Sequence, residues 1–168
     1  MLIPENPTQV RNDLHRLIES EEFGEELAAA AANHACEQSH AEAWHAIHQL
    51  EVQTNHGVQR FIEDAGIELS TTNRIAETVG TLSGTALTHL PWHLQLNAVR
   101  LGTRRYLPAF LRLAAAFENT RYQTFFDYVV DHELAIIGFT EKALAAHRAP
   151  LDDPHRLLNR PVPLLDQN

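Results

Sequence analysis

Residues 25–66, EELAAAAANHACEQSHAEAWHAIHQLEVQTNHGVQRFIEDAG, decide the fold. The stretch holds no proline, starts in an alanine run and is dominated by strong helix formers. It therefore predicts one long helix, or two in succession, with Asn33 and Gly57 as the points where it would bend or break. Trp44, Ile47, Val58, Phe61 and Ile62 recur at helical spacing and mark the face turned to a core. Glu51 falls on that face, flanked by His48, whereas Glu42, His45, Gln49, Gln53, His56 and Arg60 take the opposite side. A carboxylate on a buried face has to be neutralised, paired or bound to a metal, so Glu51 is the residue to follow.

On the N-terminal side, Asn6-Pro7 reads as an N-cap with proline at the first helical position. Val10, Leu14, Leu17 and Ile18 continue it as a short first helix that reaches about Glu22 and is broken by Gly24. On the C-terminal side, Gly66 stops the long helix and Ser70-Thr71-Thr72-Asn73 offers a cap for the next, whose apolar stripe is Ile75, Val79, Leu82, Ala86 and Leu90. Trp92, Leu96, Val99, Tyr106, Phe110 and Phe117 form a further helix, interrupted around Gly102 and Pro108. Thr120 with Gln123 fits a capping box for a last helix from Arg121 through Leu144.

Strand signals are missing, since no alternating β-branched run is bounded by Asn-Gly or Asp-Gly. The expected fold is all-α, an up-down helical bundle over residues 1–148. Pro150, Pro154, Pro161 and Pro163, interspersed with leucines, make residues 149–168 a proline-rich extended arm. Such an arm packs along its own bundle or reaches a second copy, which makes a homodimer the expected assembly.

At 168 residues, 44% hydrophobic and 21% charged, the chain has the size and composition of one ordinary globular domain. A net charge of −9 with no basic cluster beyond Arg104-Arg105 excludes nucleic acid as the expected partner. Cys36 is the single cysteine, which rules out an internal disulfide or a thiolate-rich metal site and points to a cytoplasmic location. No apolar run of about 18 residues and no N-terminal apolar leader is present, so neither membrane spanning nor secretion is expected.

The last helix repeats the oddity of residue 51. Phe126, Val130, Ile137 and Leu144 form an apolar row that includes Glu133, and Phe125, Val129, Ile136 and Phe139 form a neighbouring row that includes His132. Asp127, Tyr128, Asp131 and Lys142 take the solvated side. Facing His48 and Glu51, the inward pair gives two imidazoles and two carboxylates, a donor set suited to iron, manganese or zinc. The candidate ligands are His48, Glu51, His132 and Glu133, with His89, or His93 after Pro91, closing the end of the bundle. Glu51 and Glu133 are also the candidate catalytic carboxylates. The plain structural reading of His48 with Glu51 is an ion pair at the edge of the core. His34 and Glu37 repeat the spacing fourteen residues earlier, about 21 Å along a continuous helix, too far to share one centre.

Glu42-Ala-Trp-His45 spells Glu-x-x-His, and with inward acids on several helices the chain resembles the ferritin-like superfamily. The resemblance implies a four-helix bundle holding a non-haem di-iron or di-manganese centre. The chain departs from that pattern in its last helix, where Glu133 is followed three residues later by Ile136 instead of His. The expected function is that of a metal-dependent oxidoreductase or oxygenase, with iron or manganese as cofactor, acting on a small organic molecule. The alternatives are a metal-free acid–base enzyme or small-molecule binder using the same buried residues, and an interaction module that dimerises.

Overall fold

The computed structural model describes residues 7–67 and 74–163, with the side chains of 74–78 left aside. Among these residues there are six helices and no strand: α1 (Pro7–His34), α2 (Gln38–Ala65), α3 (Arg74–Thr88), α4 (Trp92–Ala116), α5 (Gln123–Leu144) and α6 (Asp152–Leu158). The all-α expectation holds, and no helix among the described residues is long and apolar enough to cross a membrane. The expected caps at Asn6 and at Ser70–Asn73 lie outside the described residues.

Two boundaries differ from the sequence reading. The first helix does not end near Glu22; α1 runs through Gly24 to His34, and the break falls at Ala35–Glu37, so residues 25–66 belong to two helices. Gly24 is a clearance rather than a stop, because a Cβ there would lie 2.7 Å from the Glu51 carboxyl carbon. α4 is likewise continuous across Gly102 and Pro108, with the proline on the exposed side. Gly66 does end α2: its φ of 62° is left-handed, and the Ile67 amide reaches back to the Ile62 carbonyl to close the last turn. At the start of α5 the Gln123 side chain accepts the Asn119 amide, and the helix begins at Gln123, two residues later than the capping box implied.

α1 packs along α2 and α3, α4 along α5 and α1, and α6 lies on α5 and α2. The expected apolar stripe of α3 is not its buried face: Val79 and Leu90 are exposed, and Leu82 is 66% exposed. α3 instead presents Gly80 and Gly84 to α1 so closely that a Cβ on Gly84 would collide with the Leu27 carbonyl oxygen. Backbone proximity takes the place of side-chain interdigitation there. The C-terminal segment is not extended throughout, since Asp152–Leu158 form α6 and bury Pro154 and Leu157. Asp153 fixes this helix by accepting from Lys142 Nζ at 2.7 Å and Arg156 at 2.9 Å.

The core has two apolar layers. One is aromatic: Phe61 stacks on Phe125 and meets Phe117, Tyr122 and Phe126 edge-on, with Phe110 and Leu17 packed around them. The other is built largely from small and aliphatic residues, including Ala28, Ala31, Ala43, Ile47, Leu50, Ala135 and Ile136, around Trp44 and Phe139. Glu21, Glu51, Thr54, His132 and Glu133 occupy α1, α2 and α5 at chain positions between those that feed the two layers.

Candidate metal centre

Helical spacing places the site. On α5, His132 and Glu133 follow Val129 by three and four residues and precede Ile136 and Ile137, respectively, by four, so both point inward; His132 is 0% and Glu133 5% exposed. On α2, Glu51 and Thr54 share the face of Ile47, Leu50 and Val58. On α1, Glu21 stands in the row Leu14, Leu17, Ile18, Ala28 and is 1% exposed.

Ligand atoms of Glu21, His132 and Glu133 all lie within 4.8 Å of one another. Glu51 joins them, its Oε2 lying 3.4 Å from His132 Nε2. The Thr54 hydroxyl donates to the Leu50 carbonyl at 3.0 Å and approaches His132 Nδ1 at 2.6 Å. Its single proton is committed to Leu50, so Nδ1–H donates to the threonine oxygen. Nε2 then faces the acids, where it makes no hydrogen bond; Glu21 Oε2 is likewise buried without one.

Three buried carboxylates around one imidazole strain the local charge balance. Burial drives the Glu21 carboxyl well above the usual range, His132 works against this, and Glu51 and Glu133 add to it. Burial also pushes Glu133 up to about 8, with His132 opposing and Glu51 reinforcing the shift. For His132, burial acts to lower the pKa but is outweighed by Glu21, Glu51 and Glu133, which hold it up at about 10. In the absence of another cation, the cluster keeps protons on its carboxyls and imidazole to offset its own charge.

A cavity of about 360 Å³ opens beside the cluster. Glu51 and Glu133 line it together with Phe23, Leu27, Trp44 and Val99, and Gly24, Ala28 and Gly102 keep it open.

The structure thus brings Glu51, His132 and Glu133 together and adds Glu21. It does not add the remaining candidate ligands: His48 is half-buried and outside the group, whereas His89 and His93 are exposed near the α3–α4 turn. His34 and Glu37 flank the α1–α2 break and are exposed, as are Glu42 and His45. Tyr128, assigned to the solvated side, is instead fully buried and accepts from Gln53 at 2.8 Å, since α2 and the segment after α6 cover it. Glu21 and Thr54 were missed. Glu21 follows Leu17 and Ile18 by four and three residues inside the expected first helix, so the spacing that singled out Glu51 also marks it, whereas a threonine on an inward face carried no signal of its own.

No family model, no curated protein and no solved structure matches this chain.

Proposed function

We propose that the protein is a metal-dependent enzyme, a non-haem iron or manganese oxidoreductase or oxygenase acting on a small organic molecule held in the cavity beside Glu51 and Glu133. The supporting observation is the buried set Glu21, Glu51, Glu133 and His132, in which Glu21 Oε2 and His132 Nε2 lack hydrogen-bond partners. With three ionised carboxylates and a protonated imidazole, two negative charges would remain buried, which several kcal/mol per ion makes untenable. A divalent cation bound by the three carboxylates and the neutral imidazole would cut this to one, and three carboxylate oxygens with one imidazole nitrogen suit iron, manganese or zinc.

The donor roles follow from the contacts. Thr54 holds the His132 ring with Nδ1–H engaged and Nε2 turned to the acids, as a ligand-orienting partner does at metal centres. Gly24 lets the Glu51 carboxylate lie against α1. Glu133 borders both the cluster and the cavity, and is placed to hold or accept a proton at a substrate. When bound, iron or manganese would supply the redox chemistry that none of these side chains has.

Elemental analysis of untagged protein expressed with supplemented iron, manganese and zinc tests this reading. About one or two equivalents that fall roughly tenfold in Glu21→Gln and His132→Ala variants are expected. Less than about a tenth of an equivalent would overturn it. A second reading, metal-free acid–base catalysis, is favoured by one observation: Glu133 is held up at about 8 beside an apolar cavity, the setting in which a carboxyl acts as general acid near neutrality. A folded Glu133→Gln variant with undiminished turnover would remove it.

A further inference from the structure

The cavity selects its ligand by charge as well as by shape. Its wall is apolar over Phe23, Leu27, Trp44, Leu87, Val99 and Ile136, and α1, α2, α3, α4 and α5 all contribute to it. Two carboxylates, Glu51 and Glu133, and the hydroxyl residues Ser20, Ser83, Thr103 and Tyr106 interrupt that wall, and no Lys, Arg or His is among the described lining residues. Glu133 is 5% exposed, and His132 is the cation that acts on it. The nearest imidazole, His132, sets Nδ1 against Thr54 and Nε2 3.4 Å from Glu51 Oε2. If its Nε2 coordinates a divalent ion, three carboxylates still leave one negative charge at the cavity floor.

We propose that this cavity binds a small apolar amine as its ammonium ion, the nitrogen set against Glu133 and Glu51 and the hydrocarbon body against the Trp44, Leu87 and Val99 wall. An anionic ligand would bring further negative charge into a space where charges are poorly screened. A neutral alcohol would hydrogen-bond yet leave the carboxylate uncompensated. An ammonium ion compensates it and brings three N–H donors, two for carboxylate oxygens and one for a hydroxyl. Ser20 lines the same cavity and has already donated to the Leu17 carbonyl at 2.9 Å, so its oxygen is left to accept. A volume of about 360 Å³ lies at the small end of ligand pockets and fits one ring with a short chain. The inference rests on the proposed function in taking this cavity as the substrate site, and it names the substrate class.

The test is a calorimetric titration at pH 7 with three molecules of one shape and three charges: benzylamine, benzyl alcohol and benzoate. Benzylamine is expected to bind at least about tenfold more tightly than benzyl alcohol, with no measurable heat from benzoate. Glu133→Gln should weaken benzylamine about tenfold and leave benzyl alcohol within about twofold, a separation that loss of folding would not produce. Val99→Trp, which fills the cavity from a half-buried position, should weaken both. Benzoate or benzyl alcohol binding as tightly as the amine, amine binding indifferent to both substitutions, or no amine binding at millimolar concentration would overturn the proposal. The titrations are run on metal-free and manganese-loaded protein. Failure of manganese to load counts against the metal centre alone, because the ranking of the three ligands is also read in the metal-free protein.

Discussion

The two apolar layers on either side of the buried acids are made of different side chains, and only one of them leaves room. In the aromatic layer, Phe61, Phe117, Tyr122, Phe125 and Phe126 meet at ring-centroid distances of 4.4–5.9 Å and fill the space between α2, α4 and α5. In the opposite layer, alanines on α1 and α2 and glycines on α1 and α4 let helices approach at some places and leave the cavity at others. The comparison teaches a division of labour: a packed end that supplies rigidity, and an open end that supplies volume next to the acids.

That division can be broken by truncation. Phe61→Ala should cost about 3–5 kcal/mol, because the rings around it are locked by one another and cannot collapse into the space. Leu87→Ala, on the cavity wall, should fall at the low end of about 2–5 kcal/mol, since its side chain already borders open space. Urea unfolding of the two variants measures the difference, and equal losses would dissolve the distinction between the layers.

A smaller effect sharpens the comparison at the far side of the aromatic layer. Asp13 is buried, and Arg112 clamps it with two donated bonds of 2.8 Å. Burial alone would raise this carboxyl, but the hydrogen bonds and charge of Arg112, helped by Gln9 and Arg16, leave it below its ordinary 3.8. A folded-state value below the unfolded one contributes stability that is complete above about pH 4–5 and is lost as the pH falls through the folded value. Arg112→Met should therefore remove about 1–3 kcal/mol at pH 7 and less at pH 3, read from paired urea curves at the two pH values. The same loss at both would show that Arg112 acts by packing alone.

The smallest expected change in stability carries the most about the site. Gly24→Ala gains about 1 kcal/mol of helix propensity and pushes the Glu51 carboxylate aside, so stability should move by no more than about 1 kcal/mol either way. Manganese affinity, measured by competition with a chelator, should fall about tenfold. Unchanged affinity would mean that Glu51 does not serve the cluster.

Helix content was legible because 3.6-residue periodicity survives tertiary packing, and the inward placement of Glu51, His132 and Glu133 followed from it directly. What escaped the sequence was decided by contacts between helices. A glycine inside a helical pattern has the same local signature whether it ends the helix or makes way for a neighbour, and only the α2 side chain opposite Gly24 distinguishes the two. That ambiguity truncated α1. The leucines of α3 misled for a related reason: an apolar stripe marks the buried face only when side chains make the packing, and on α3 the contact is made by glycine backbone. Tyr128 was misplaced because Gln53 and the chain around Arg160 cover it from outside the helix whose period was being read.

Gly24 and Glu51 occupy the same few cubic ångströms, one by being absent and the other by filling the vacancy. Among descendants of this sequence their fates should be joined. A lineage that loses the acid at 51 is released from glycine at 24 and free to take the alanine that its helix prefers, whereas one that keeps the acid inherits a weak point in α1 with it. Paired change at these two positions, separated by twenty-seven residues of chain, would be a historical record of whether the buried centre was in use.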